Sequence, residues 1–235
     1  NITDKLLVAG AVRFEKYSDF GNTTTGKLSM RYDPSRMVGF RGSVSSGFRA
    51  PSAQQKFYSS LSTNLNSAGM LTDTLTAREG SAVARTFGIA PLKEETSKSA
   101  SIGIILRPVP NFSVTADLYR TEIDDRIVFS SEINPEDASD FPNPSRCLTM
   151  ACPIKGILAP LGVGAVQFFT NAIDTTTDGF DLVAEHTTKW TGSTLVLSGQ
   201  LGFNRTEVTN RRSDSPLLNG AQMFDESQMI LLERG

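Results

Sequence analysis

The chain has 235 residues, with 23 Lys+Arg against 25 Asp+Glu, one His, two Cys, 19 Gly and 11 Pro, and 39% of it is hydrophobic. A formal charge of -2 gives no basic field for nucleic acid, and the modest apolar content, with abundant Ser and Thr, argues against a dense helical core. The longest apolar runs, Leu6 to Val12 and the Gly- and Pro-broken Gly156 to Val166, fall far short of the ~18 residues of a membrane-spanning helix, and Asn1-Ile2-Thr3-Asp4-Lys5 has neither the basic nor the apolar region of a signal peptide.

Where a period can be read it is two, the signature of strands with one apolar and one polar face. Leu6, Val8, Gly10, Val12 and Phe14 share a face against Ala9, Ala11, Arg13 and Glu15. Leu28, Met30 and Tyr32 then stand against Lys27, Ser29, Arg31 and Asp33, and Val38, Phe40, Gly42, Val44 and Phe48 against Arg41, Ser43, Ser45 and Arg49. A fourth segment sets Ala100, Ile102, Ile104 and Leu106 against Ser99, Ser101, Gly103 and Arg107, with Ile105 breaking the rule. Phe112, Val114, Ala116 and Leu118 alternate with Ser113, Thr115, Asp117 and Tyr119. The last two place Phe180, Leu182, Ala184 and His186 on one face, then Leu195, Leu197, Gly199, Leu201 and Phe203.

The connections alternate between short and long. Residues 33–36, 108–111 and 189–193 are tight and rich in turn formers, whereas residues 50–95, 128–170 and 206 onward are expected to be long loops. An up-and-down antiparallel sheet with tight turns at one end and large loops at the other is the asymmetry of outer-membrane barrels. Each apolar face covers eight to ten positions, which at about 3.3 Å per residue and a tilt of about 40–45° spans the ~25 Å apolar band of such barrels. Tyr32, Phe112 and Trp190 fall beside the tight turns, and Phe14, Phe48 and Phe203 are expected at the opposite strand ends, as two interfacial girdles require. The same alternation also describes a soluble secreted β-sandwich, such as a carbohydrate-binding module, with its apolar faces packed together.

The segment Gly47-Phe48-Arg49-Ala50-Pro51-Ser52 adds a resemblance. With Tyr17-Ser18-Asp19-Phe20-Gly21, Arg31-Tyr32, Arg41-Gly42-Ser43-Val44-Ser45-Ser46, Pro110 to Asp117, Glu122 to Ile127, Phe169 to Asp174 and Gly179-Phe180-Asp181-Leu182, in that order, the chain resembles the β-barrel of TonB-dependent outer-membrane receptors. The resemblance implies an all-β, antiparallel transmembrane barrel segment in the cell outer membrane, with outer-membrane lipid on its apolar face. It further implies a receptor with its own plug domain that takes up a ferric siderophore or another large nutrient with energy from the TonB complex. Such barrels have 22 strands, so residues 1–235 are expected to be an internal part of one, without plug domain or closing strand. With two unpaired edges, the isolated piece is expected to aggregate or need detergent.

If the resemblance holds, substrate contact belongs to the long-loop side. The candidates are Arg49 at the loop end of its strand and, in the following loop, Gln54, Gln55, Phe57, Tyr58, Arg78 and Arg85. Guanidinium suits an anionic chelate and aromatic rings its apolar part, though Arg49 also suits a structural ion pair. Cys147 and Cys152, four residues between them, are expected to form a surface disulfide in the oxidising compartment that the resemblance implies, with free thiols as the alternative. No enzyme motif, cofactor or metal is expected: the sole His186 lies on an apolar strand face near Trp190, the Glu94/Glu95, Asp124/Asp125 and Asp174–Asp178 carboxylates lack calcium-loop spacing and read as solvated strand ends, and Asn22-Thr23-Thr24 is a glycosylation acceptor in form only.

Overall fold

The computed structural model describes residues 3–17, 21–65, 69–135, 153–212, 217, 223–224 and 226–234. Along the chain come β1 (Leu6–Tyr17), β2 (Gly21–Tyr32), β3 (Val38–Arg49), α1 (Ala53–Phe57), β4 (Ser60–Leu65), β5 (Leu71–Thr76), α2 (Ala82–Thr86), β6 (Glu95–Val109), β7 (Phe112–Phe129), α3 (Pro153–Leu158), a 3-10 turn (Ala159–Leu161), β8 (Ala165–Gln167), β9 (Phe169–Trp190), β10 (Ser193–Arg211) and α4 (Glu226–Arg234). They divide into two compact units, the first of Asn1–Phe48, Thr96–Asp124 and Thr175–Glu207, the second of Arg49–Glu95, Asp125–Asp174 and Val208–Gly235.

The first unit is built on a single sheet of seven strands in the order β1-β2-β3-β6-β7-β9-β10. These are the seven strands legible in the sequence, and the tight turns fall where turn formers stand, with Gly192 at φ +81 between β9 and β10. Register carries the alternation from strand to strand: Val8 faces Met30, Met30 faces Gly42, and Leu28 faces Val44, while Ile102 faces Leu118 and Leu106 faces Val114.

Among the described residues of the first unit that apolar face is largely exposed. Val44 is 55% exposed, Ile102 66%, Leu118 57% and Phe203 68%. Among the described residues, every buried apolar side chain except Ile105 belongs to the second unit. A soluble sandwich would bury these faces in a shared core, so their exposure does not favour the sandwich reading. An uncovered apolar face of this extent is unstable in water and stable in hydrocarbon.

The opposite face is a polar lattice. The Arg41 guanidinium on β3 reaches across β6 to Asp117 on β7, Nε to Oδ1 at 2.7 Å. Ser43 and Ser101 share a 2.9 Å hydrogen bond, Ser99 and Thr121 one of 3.1 Å, and Thr177 and Thr206 one of 2.8 Å. Two glycines make this lattice possible by leaving room. A Cβ at Gly103 would lie 2.0 Å from Asp117 Oδ1, and one at Gly179 would lie 2.1 Å from the Tyr119 ring, so any side chain there displaces the group now resting on the backbone. Ile105, the residue out of pattern, lies on this face opposite Thr115 and packs toward Gly39.

Three expectations are corrected. The connections 50–95 and 128–170 are not plain loops: they contain β4, β5, β8 and the short helices α1, α2 and α3, with a second sheet in the order β4-β5-β8. Strand β8 pairs in parallel with β5 from far along the chain, and only three residues take part, too few for a period to show. Second, β7, β9 and β10 run to 18, 22 and 19 residues, well beyond the ~9–11 that cross a bilayer. Their outer stretches are polar on both faces, for instance Arg120, Thr121 and Glu122, so alternation disappears where the strand continues. Third, Phe203 does not end its strand, since β10 continues to Arg211. It is the last apolar residue on its face before Arg205, which pairs with Glu207 at 2.7 Å. The aromatic marks the top of the apolar band rather than the end of the strand. At the other end His186 is 6.3 Å from the Phe112 ring, with Nε2 2.9 Å from the Thr188 hydroxyl.

Candidate functional site

The second unit carries the substrate-side candidates and has a core of its own. Phe87, Ile154, Leu158, Val166, Phe168 and Ile173 are fully enclosed, and the Phe87 and Phe168 rings meet at 5.2 Å. Local rules explain the small elements. Ser52 opens α1 with a capping box: its hydroxyl accepts the Gln55 N–H at 3.1 Å, and the Gln55 side chain accepts the Ser52 N–H at 2.9 Å. Ser81 caps α2 by accepting the Ala84 N–H at 3.1 Å. In the β4–β5 hairpin, Leu65 faces Leu71, Leu61 faces Leu75, and between them the Thr63 hydroxyl donates to Asp73 at 2.6 Å.

Each candidate residue has a defined place. Gln54 and Phe57 lie on α1 and Tyr58 ends it, with all three exposed. Arg78 follows β5, Arg85 lies on α2, and both are exposed. Among the described residues neither guanidinium takes part in an ion pair or hydrogen bond, and no such bond or ring contact joins them to Phe57 or Tyr58. Gln55 is occupied by the cap. Arg49 is engaged: its Nε donates to Glu95 Oε2 at 2.7 Å, its Nη2 donates to Oε1, and that oxygen also accepts the Ile127 N–H at 2.7 Å. Cys147 and Cys152 lie outside the described residues.

Of the carboxylates read as solvated strand ends, Glu95, Asp125 and Asp174 are bound instead. The Glu95 side chain is 7% exposed. Asp125 and Asp174 join a second cluster with Lys93, Asn171, Asn210 and Arg212. Lys93 Nζ meets Asp125 Oδ2 at 2.7 Å, Arg212 Nη1 donates to Asp125 Oδ1, and Arg212 Nη2 meets Asp174 Oδ2 at 2.7 Å. Asn210 donates to the same Asp174 oxygen at 2.9 Å. Among the described non-glycine residues Asp125 alone has a left-handed backbone, at φ 56, a conformation Asp tolerates better than most. The two backbone groups of that kink are satisfied by side chains: its N–H donates to Asp174 at 2.8 Å, and its carbonyl accepts from Asn171 at 2.6 Å. Together the two clusters tie the chain at 49, 93–95, 125–127, 171–174 and 210–212, the roots of every long connection. Sequence could flag the charged residues but not their pairing, because the partners are 32 to 87 positions apart.

Burial pushes the Asp174 carboxyl up, but the Asp125 N–H, Asn210 and Arg212 outweigh it and hold the group below its ordinary 3.8. A carboxyl with a lowered folded value stabilises the fold above its ordinary value, and loses that contribution as pH falls through the lower one. Amide protection at Asp125, measured by hydrogen exchange, is therefore expected to stay level from neutral pH down to about 4 and to fall only below that. A fall already near pH 6 would contradict the assignment.

Among the described residues no helix is long and apolar enough to cross a membrane. No curated protein matches the chain. Its fold is similar to that of the RagAB peptide importer in its closed-closed state, with TM-score 0.53 and 13% identity over 89% of this chain and 21% of that one. It is also similar to the siderophore receptors PirA from Acinetobacter baumannii (TM-score 0.52, 16% identity, 92% of this chain and 26% of that one) and PirA from Pseudomonas aeruginosa (0.51, 12%, 91% and 40%). The chain thus spans well under half the length of each of these structures. The family model for the TonB dependent receptor-like β-barrel matches residues 1–225, and the chain belongs to that family of outer-membrane receptor barrels.

Proposed function

We propose that this chain is the barrel portion of an outer-membrane receptor for a ferric siderophore or a comparable large anionic chelate. In that reading it acts with a plug domain of the same receptor and is energised through TonB. One observation supports the ligand class: on a unit with its own buried core, Arg78 and Arg85 hold out guanidinium groups that pair with none of the described residues, and Phe57 and Tyr58 hold out exposed rings. Guanidinium groups take the oxygens of an anionic chelate and rings take its apolar or aromatic part. Two of the structures of similar fold are siderophore receptors. Arg49, by contrast, serves the ion pair with Glu95.

The test is growth of a strain lacking the parent gene on a panel of iron sources, followed by binding to the full receptor. Loss of growth on one ferric chelate, with that chelate bound more weakly when Arg78 and Arg85 are both replaced by Ala, is the expected result. Unchanged uptake of every iron chelate, with loss of growth on peptides or a glycan, would move the substrate out of this class.

A further inference from the structure

We propose that strand β4 of the second unit is a self-pairing edge, which joins a second copy of this receptor by antiparallel pairing about Thr63. The inference is independent of the nutrient proposed above. β4 is the outer strand of the sheet β4-β5-β8. Among the described residues its backbone pairs only with β5, so its other side presents unpaired N–H and C=O groups. Edges of this kind are ordinarily blunted by a charge, a proline or a bulge. Here residues 57–72 hold no charged residue and no proline, the β4–β5 register runs without a shift, and β4 past Ser60 is exposed throughout. Leu61, Leu65 and Leu71 stand 60%, 69% and 75% exposed on a unit that already has a buried core. Apolar groups clustered in this way mark a contact surface.

The strand is its own complement. A two-fold axis through Thr63 sets Leu61 opposite the partner's Leu65, Ser62 opposite the partner's Asn64, and Thr63 opposite the partner's Thr63. Within one copy Leu61 already faces Leu75, and Leu65 faces Leu71. Directly opposite residues share a face, so the pair completes two rows of four leucines across four strands. One row runs from Leu75 through Leu61 to the partner's Leu65 and the partner's Leu71, and the axis generates the other. Moving the axis to Ser62 or Asn64 would set one leucine against threonine and carry the other past the strand's end, so the leucines fix the register. The centre is neutral, since each Thr63 hydroxyl donates to Asp73 of its own copy at 2.6 Å. The two Asp73 carboxylates would stand three strand spacings apart, roughly 14 Å, beyond the ~8 Å screening length of physiological salt. Pairing would also satisfy the outer backbone of β4 with roughly four to six ladder hydrogen bonds. A partner that recognises charge finds none on β4. What the edge offers is a leucine at each end of a five-residue stretch, and β4 itself supplies the matching strand.

Sedimentation of the full receptor in mild detergent over a range of concentrations tests this. The wild type is expected to show a reversible monomer–dimer equilibrium. Leu61→Lys, which puts an ammonium group into both leucine rows, is expected to weaken the dimer about tenfold. Adding Leu65→Glu to the same chain should restore it, because the axis sets the two new charges face to face twice. Within one strand those positions are about 13 Å apart, so the rescue can come only from pairing between copies. In native membranes Thr63→Cys should give a disulfide-linked dimer on oxidation with copper phenanthroline. Ser60→Cys, whose two copies would lie about 20 Å apart across the axis, should give none beyond that of the receptor's own cysteines. A wild type that stays monomeric at every concentration would overturn the proposal, as would the absence of the Thr63→Cys cross-link. So would a double variant no tighter than Leu61→Lys alone, the result expected if β4 meets a chain other than itself.

Discussion

Leu197→Arg is expected to destabilise the membrane-embedded receptor by about 2–4 kcal/mol, whereas Ser198→Arg, the next residue, should cost less than about 1 kcal/mol. Both side chains lie in the lower half of β10 (Ser193–Arg211) and both are exposed in the first unit. Leu197 shares the face of Leu195, Leu201 and Phe203, while Ser198 shares the face that carries the cross-strand hydroxyl pairs. Burying a guanidinium in hydrocarbon costs far more than placing it in a wet interior. Urea unfolding of the receptor in lipid vesicles measures the difference. Equal costs at the two positions would mean that both faces of the strand see the same medium.

Arg49→Ala is expected to cost the second unit about 2–3 kcal/mol, and adding Glu95→Ala to it should recover part of that loss. Glu95 is buried and Arg49 is not: the side chains are 7% and 56% exposed. Removing the arginine leaves a carboxylate shielded from water with only the Ile127 N–H, the case in which breaking an ion pair is most damaging. Solvent screening of the half-exposed partner keeps the figure below the usual ~3–5 kcal/mol for a fully buried pair. Removing both partners costs only the Ile127 bond and some packing. Limited proteolysis of residues 50–94 in the full receptor reads the same change, because Arg49 and Glu95 close the root of that excursion. A double variant worse than Arg49→Ala alone would show that Glu95 matters for some reason other than this pair.

Much of the first unit was legible because bilayer spanning imposes a strict alternation. Each strand has one face in hydrocarbon and one in water, so Leu28-Ser29-Met30 and Ile102-Gly103-Ile104 declare their orientation residue by residue. Legibility ends where the constraint ends. Above the row of Arg120, Asp178 and Arg205 both faces meet water, and β9 and β10 lose their period although they continue for several residues. The second unit was hidden for a different reason. Its core joins Phe87, Ile154, Phe168 and Ile173 from separate excursions, and the ion pairs at its roots join residues such as Asp125 and Arg212 that are 87 positions apart. Arg49 shows the limit most clearly, since its position at a strand end suits a structural ion pair as well as ligand contact, and only the fold places Glu95 beside it.

The account depends most on which side of the sheet meets lipid. Nitroxide labels placed one at a time along residues 194–203 of the full receptor in bilayers, read by their collisions with dissolved oxygen and with a water-soluble nickel complex, test this directly. Labels at 195, 197, 199, 201 and 203 should favour oxygen, and those between them should favour nickel, with a period of two. Uniform access to nickel along the strand, or the opposite phase, would contradict it.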